Sequence, residues 1–214
     1  MKLKKSLKKK LYIFLALVVL ATVGLGIYHF VFKSNNTVKE AKVVNKIPGY
    51  GYELKDNKTK EYKEMFEDLK KILTSKNVDE EKYVKQISKM FVYDFYSLND
   101  KSAKTDVGGI DFVYESVKTN FLNNAESTYY KYVESNIYNQ RKQQLPVVSV
   151  KDIKINEVTK DSFEYNDEED EEDEEAYSVE VSWDYTDSKY SDYQKKVTLI
   201  FVHDDKKLSL VELN

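Results

Sequence analysis

The chain has 214 residues, and its 34 Lys and Arg against 37 Asp and Glu give a net charge of −3. It contains no cysteine, which excludes disulfides, iron–sulfur clusters, thiol nucleophiles and cysteine-based zinc sites. The first ten residues carry six lysines, and Asp167–Glu175 is a run of nine carboxylates. These two runs account for the whole net charge, so the rest of the chain is balanced and nucleic acid is not an expected partner.

An apolar segment follows the basic residues 1–10. Leu11–Phe32 is a stretch of 22 residues without Asp, Glu, Lys or Arg. A helix of that length is about 33 Å long, which matches a bilayer core of about 30 Å, so we predict a transmembrane helix at 11–32. The alternative is a cleaved signal peptide. Signal peptides usually have a shorter apolar core and a small-residue cleavage site, and this sequence has neither feature.

The distribution of lysines sets the expected orientation. The dense cluster before the apolar segment predicts a cytoplasmic tail at 1–10, because lysines beside a span stay on the cytoplasmic side. We expect residues 33–46 to be a polar juxtamembrane linker and residues 47–214 to form an extracytoplasmic domain. The sequence therefore predicts a single-pass protein of the cell membrane, with the lipid bilayer as a partner.

Amphipathic helices are expected in the first half of this domain. A turn signal and a short alternating face at Ile47–Leu54 mark its start. In residues 58–73, apolar side chains recur at three- and four-residue intervals, which predicts a helix. A second helix is expected to start at Asn77 or Asp79, with acidic residues at its positive end, and to continue to Leu98.

A polar loop at 99–109, closed by two glycines, precedes the next predicted helix. Asp111 is placed to cap that helix, whose apolar residues include Val117 and Phe121. A further helical stretch is expected over Ala125–Ile137.

After Pro146 the apolar residues alternate, which is the period of a β-strand. We expect strands at 148–158 (one long strand or a bent pair), 177–185, 197–202 and 208–213, with the turn Asp204–Lys206 joining the last two. Residues 164–175 are predicted to be a disordered, solvated loop, because like charges in a row repel one another. Clustered carboxylates also suit calcium, but this run lacks the glycine and ligand spacing of an EF-hand loop.

Helices followed by strands with short connections predict an α+β fold: a transmembrane helix, then three to four helices packed on a curved antiparallel sheet. This order of elements resembles the cone-shaped fold of nuclear transport factor two and ketosteroid isomerase relatives, and more distantly the type IV secretion inner-membrane assembly factor. The sequence Met90–Phe121, above all Asp94–Gly109, is similar to a family of uncharacterised single-pass membrane proteins of low-GC Gram-positive bacteria. The resemblance implies an accessory or assembly role outside the cytoplasm and names no substrate, because this cone hosts enzymes, scaffolds and binding proteins alike.

Enzymes with a cone-shaped fold use acid–base pairs inside the cone. The residues that fit such roles loosely are Asp94, Tyr96, Tyr177, Tyr185 and His203. The sequence indicates an exposed turn position for the histidine, and none of the five has a matched partner at a known spacing. We therefore predict no enzyme activity, and we assign no catalytic, cofactor-binding or metal-binding residue.

Aromatic residues are the remaining candidates for binding. Phe95, Tyr96, Trp183 and Tyr185 combine large contact area with, in three cases, a polar tip, as interface anchors do. Core packing explains them as well, because apolar and polar residues alternate along 177–185, and we favour that interpretation.

The sequence thus predicts a non-enzymatic, membrane-anchored interaction or assembly module of the bacterial cell envelope, acting with envelope proteins or by self-association. The alternative is a domain that binds a small molecule or a lipid in a cavity between the sheet and the helices. An isomerase or hydrolase is a third hypothesis. No cofactor is implied.

Overall fold

The computed structural model describes residues 41–136, 140–166 and 171–214. The strands and helices, in chain order, are β1 (Val43–Ile47), β2 (Tyr52–Lys55), α1 (Lys60–Leu73), α2 (Glu80–Tyr96), α3 (Glu115–Ser127), β3 (Lys154–Asn166), β4 (Glu171–Ser182), β5 (Lys196–Asp204) and β6 (Lys207–Leu213). Three-residue 3₁₀ turns occur at Ile110–Phe112, Val150–Asp152 and Ser188–Tyr190. The described part of the chain is α+β, as the sequence predicts.

The predicted cytoplasmic tail 1–10, the predicted transmembrane helix 11–32 and the linker up to residue 40 lie outside the described residues. Within the described ranges, no helix combines the length and the apolar character needed to cross a bilayer.

The folded region begins earlier than the sequence suggests. Strands β1 and β2 form an antiparallel hairpin in which Ile47 is opposite Tyr52 and Val43 is opposite Lys55. The last residues of the predicted linker 33–46 are therefore part of the domain. Periodicity did not reveal them because β1 is mostly solvent-exposed and buries only its last residue.

Helices α1 and α2 match their predictions closely. Thr59 caps α1 by accepting a hydrogen bond from the Tyr62 N–H, and Asp79 caps α2 in the same way from Lys82. The apolar face of α1 packs on α2, and the middle and end of α2 are buried on nearly every side. This burial fixes the position of the last turn of α2, which reaches the functional site.

The four strands after α3 form one antiparallel sheet in the order β3-β4-β5-β6. Val179 lies opposite Leu199, and Tyr177 lies opposite Phe201; all four side chains are buried. Three irregularities in the β3–β4 register and one between Ile200 and Phe201 interrupt the ladder. Such bulges bend a sheet and increase its twist.

The third helix differs from its prediction at both ends. Asp111 lies inside the Ile110–Phe112 3₁₀ turn, and α3 starts four residues later, after Tyr114, without a side-chain cap. The predicted helix Ala125–Ile137 is correct only up to Ser127, where α3 ends, and is wrong for residues 128–136, where turns and irregular chain follow. The hydroxyls of Ser127 and Thr128 bond back to helix carbonyls, which competes with continuation of the helix.

The acidic run is more ordered than predicted. Glu164 pairs with Glu172 and Phe163 pairs with Asp173, so the β3–β4 hairpin extends into residues 164–175 on both sides. Residues 167–170 lie outside the described ranges. Backbone pairing, together with the hydrogen bonds between Asp173 and the partly buried His203, outweighs the repulsion between neighbouring carboxylates here.

Candidate binding cleft

A cleft of about 760 Å³ lies between α3 and the edge strand β6. Helix α3 contributes Val117, Phe121 and Ala125, which share one face because they are spaced by four residues. Strand β6 contributes Leu210 to Leu213. The residues that α3 and β6 contribute make an apolar cleft of the size that holds small ligands.

Polar groups are few and are placed at the sides of the cleft. Asn120 and Asn124 lie about one helical turn apart on α3, and Gln194 belongs to the segment before β5. Glu212 is the only charged side chain among the described residues that line the cleft. Tyr96, Thr128 and Tyr129 also belong to the lining, so its residues carry amide groups, hydroxyls and one carboxylate.

The outer edge of β6 is covered over its first part by groups from the rest of the domain. The N–H and C=O of Leu208 point away from β5 and bond to the hydroxyls of Tyr83 and Tyr52, at 3.0 and 3.2 Å. Farther along the same edge, the C=O of Leu210 accepts from the Tyr114 N–H at 2.8 Å. Three residues of the domain thus complete the first part of the edge.

The end of the same edge has no such cover. Asn214 and Thr198 exchange both backbone hydrogen bonds, so the neighbouring pair Leu213–Leu199 is of the non-hydrogen-bonded kind. The N–H and C=O of Leu213 consequently point outward, and the structure records no partner for them in the described part of the chain. They lie where β6 lines the cleft.

The last turn of α2 supplies the inner wall of the cleft. Phe95 and Tyr96 line it, and Tyr96 is 1% exposed. The Tyr96 ring lies 4.3 Å from the ring of Trp183 and 5.0 Å from that of Tyr129, centroid to centroid. Burial raises the pKa of Tyr96 far above its ordinary value, so the hydroxyl is a neutral donor at any working pH.

The Tyr96 hydroxyl has no hydrogen-bond partner in the described structure. Leaving a buried polar group unpaired costs about 1–3 kcal/mol, and such groups are rare in folded proteins. The Tyr96 side chain lines the cleft, but its oxygen is enclosed by neighbouring atoms.

The four aromatic residues singled out as interaction candidates are all less than 10% exposed. Phe95 and Tyr96 line the cleft, whereas Trp183 and Tyr185 lie in the core behind them. The Tyr185 hydroxyl donates to the Gln194 carbonyl at 2.8 Å and therefore accepts from the Tyr129 hydroxyl at 3.0 Å. Because all four are buried, they form no exposed surface in the described part of the chain, and Phe95 and Tyr96 are accessible only from the cleft.

An ion-pair cluster at the end of α2 holds the inner wall in place. The buried Asp94 carboxylate accepts from Lys58 at 2.7 Å, from Lys101 at 3.0 Å and from the Gly109 N–H at 2.8 Å. Burial alone would raise the pKa of Asp94, but the two ammonium groups lower it well below its ordinary value. Burial by itself would lower the pKa of Lys101, but the nearby charge of Asp94 raises it more strongly. The pKa of Lys101 therefore lies well above its usual range.

Gly108 and Gly109 allow the loop 99–109 to approach this ion-pair cluster. A Cβ on Gly108 would lie 2.0 Å from the Asp94 carbonyl oxygen. Gly109 has φ of +74°, and a Cβ there would lie 2.7 Å from the Phe91 ring. The two glycines therefore allow the end of the loop 99–109 to pack closely against the last turns of α2.

The remaining acid–base candidates lie at the far end of β5. His203 donates its backbone N–H to Asp173 at 2.7 Å, and its Nδ1 lies 2.8 Å from the same carboxylate oxygen. Glu80 is 3.7 Å from His203 Nε2 and accepts from the Tyr177 hydroxyl at 3.0 Å. His203 is thus a partly buried residue bound within the sheet, not an exposed turn position.

Strand periodicity carried a signal for the position of His203, which has the same parity along β5 as the buried Phe201. It carried none for Asp173, because the β3–β4 register shifts between Asp173 and Ala176. Asp94 belongs to the separate ion-pair cluster described above. Among the described residues, no group of three or more His, Asp and Glu side chains is arranged to hold a metal ion.

Comparison with known proteins found no matching family model, no matching curated protein and no matching solved structure. The resemblance to the nuclear transport factor two relatives therefore stays a prediction. The chemistry of the cleft has to be judged from its own residues.

Proposed function

We propose that the domain is a non-enzymatic binding module that holds a small, uncharged, amphipathic molecule in the cleft between α3 and β6. The observation that carries this proposal is an open, apolar cleft of about 760 Å³ with a few polar groups at its sides. Cavities of roughly 300–1,000 Å³ with such a lining are typical of small-molecule sites.

Charge narrows the class of ligand. Glu212 gives the cleft one carboxylate, and none of the described lining residues is basic. An anionic ligand such as a fatty acid would lose its hydration and meet no opposite charge, which is costly in an apolar site. Uncharged molecules with one or two hydrogen-bonding groups fit best.

The lining also favours binding over catalysis. Proton-transfer catalysis requires an acid–base pair with pKa values near the working pH. Burial raises the pKa values of Tyr96 and Tyr129 far above neutrality, and Glu212 lies on the exposed end of β6. Asp94 is occupied by two lysines and a backbone N–H.

The architecture supports a cone-like interpretation of the fold. Helices at one side of a bulged antiparallel sheet, with an open cavity between them, are what that interpretation requires. We further infer that residues 11–32 anchor the domain to the cell membrane and that the domain lies outside the cytoplasm. A ligand from the membrane or the envelope would then be within reach.

A second candidate function, an interaction or assembly module, is favoured by one observation: the outward N–H and C=O of Leu213 at the uncovered end of β6. An extended peptide of an envelope protein, or β6 of a second copy, can add a strand to such an edge. In that case the cleft would take the side chains of the added strand.

A titration with the uncharged fluorescent probe N-phenyl-1-naphthylamine tests the first function. Residues 41–214 should bind it saturably, at about one molecule per chain. Val117→Trp, which fills the cleft from α3, should abolish binding. The control is Thr119→Trp, at an exposed position of the same helix, which should bind normally. No saturable binding, or equal effects of the two variants, would contradict the proposal.

A further inference from the structure

We infer that the Tyr96 hydroxyl is the donor of an inner polar subsite, which bonds an uncharged acceptor, such as a ketone, ester or ether oxygen, on the molecule held in the cleft. The inference rests on the proposed function and adds to it the chemical class of the ligand.

The first observation is the position of the donor. Tyr96 lines the cleft, it is almost wholly buried, and its hydroxyl makes no hydrogen bond in the described structure. A buried O–H donor beside the cleft, with no acceptor among the described residues, favours a ligand that brings one.

The second observation concerns the charge of that acceptor. A carboxylate or phosphate would also accept from a tyrosine, but none of the described lining residues is basic and Glu212 is acidic. A neutral oxygen makes the same hydrogen bond without the cost of burying a charge. The ligand is therefore an apolar molecule with a neutral acceptor at the end that enters the cleft first.

Tyr129 controls access to this subsite. It lines the cleft, its ring packs edge-on against Tyr96, and it is only partly buried. A side-chain hydrogen bond to the Tyr185 hydroxyl and ring contacts with Phe95 and Tyr130 hold it, and it lies beyond the end of α3. The Tyr96 oxygen is sealed from solvent in this conformation. Rotation of the Tyr129 ring, which breaks one hydrogen bond between neutral hydroxyls, lets the ligand reach it.

The test compares two uncharged probes of similar shape, 1-indanone and indane, of which only the first has an acceptor. The full chain in phosphatidylcholine vesicles is melted in sealed cells with each probe over a concentration series, and circular dichroism gives the midpoint. A molecule that binds only the folded state raises the midpoint. Partition of the probes into lipid is common to all variants, so it cancels in the comparison.

Tyr96→Phe is the informative variant, because it removes the hydroxyl and keeps the ring. We expect the affinity for 1-indanone to fall about tenfold, the usual effect of losing one hydrogen bond, and the affinity for indane to stay the same. Without ligand, Tyr96→Phe should be as stable as the wild type or more so, because the lost hydroxyl had no partner. Tyr193→Phe, at an exposed tyrosine, is the matched control.

Two failures are distinguishable. If the wild type binds neither probe, the proposed function falls and the subsite falls with it. If the wild type binds both probes and Tyr96→Phe changes the two affinities equally or not at all, a water molecule satisfies the hydroxyl, and the subsite is overturned while the cleft remains a binding site.

Discussion

At the scale of single residues, Asp94 contributes most to the geometry of the cleft. Its carboxylate connects the end of α2 to Lys58 before α1 and to Lys101 and Gly109 in the loop 99–109. Phe95 and Tyr96 follow directly in the chain, so the orientation of the inner wall depends on this ion-pair cluster. The lysines are best explained as structural partners of the aspartate.

Asp94→Asn should lower the free energy of unfolding by about 3–5 kcal/mol at pH 7, because it leaves the Lys101 ammonium buried without its main counter-charge. Urea denaturation measures the loss. The control, Asp68→Asn, breaks an exposed pair with Lys71 and should leave the stability unchanged.

The same variant gives a pH dependence of known sign. Because the pKa of Asp94 is lowered in the folded state, its contribution is complete above the ordinary aspartate pKa of about 4 and is lost as the pH falls toward the folded-state value. The stability difference between the wild type and Asp94→Asn should therefore shrink below about pH 4. A difference that is constant down to pH 2 would contradict the assignment.

At the scale of elements, the loop 99–109 determines how tightly α2 and α3 are joined. Gly108→Ala should cost about 1–3 kcal/mol, because its Cβ would overlap the Asp94 carbonyl and the backbone has to shift. Gly49→Ala is the contrasting control: it has φ of +83° but open space, so only backbone strain of about 1 kcal/mol is expected. Thermal denaturation of both variants would decide, and an equal or smaller effect at Gly108 would show that the loop can relax.

The two edges of the four-stranded sheet also differ at this scale. Strand β3 forms one edge and β6 forms the other. Tyr52, Tyr83 and Tyr114 complete the backbone of β6 up to Leu210, and no described residue bonds the outward groups of Leu213 at the cleft. Unpaired backbone groups at a sheet edge favour association with another chain. Because the outward groups of Leu213 lie at the cleft, we expect a ligand or an added strand to bind there.

At the scale of the whole molecule, residues 41–214 form one compact unit of their own. Because we infer that residues 11–32 anchor the domain, we expect the full chain to sediment with membranes. Because residues 41–214 are compact by themselves, a chain that starts at Ala41 should remain in the soluble fraction with an unchanged melting temperature. Fractionation of cells that express each form, followed by circular dichroism, tests both expectations. Recovery of a mature chain that begins after residue 32 from the culture medium would contradict membrane anchoring.

The sequence by itself determined the α+β class, the bounds of α1 and α2, and the strands β5 and β6, because periodicity and capping act over a few neighbouring residues. It failed where distant residues compete with local preference. Asp173 belongs to a strand because His203, thirty residues away, bonds it, and the chain after Ser127 leaves the helix although its composition permits one.

The cleft could be predicted only as a possibility of the fold, and its residues only in part. Val117 and Phe121 were recognised as an apolar helix face, but their pairing with β6 and the unpaired hydroxyl of Tyr96 depend on how α2, α3 and the sheet pack. A local pattern states that a side chain is apolar or aromatic. Only the tertiary structure decides whether it fills the core or lines a cavity, because that depends on the shape of surfaces contributed by residues far apart in the chain.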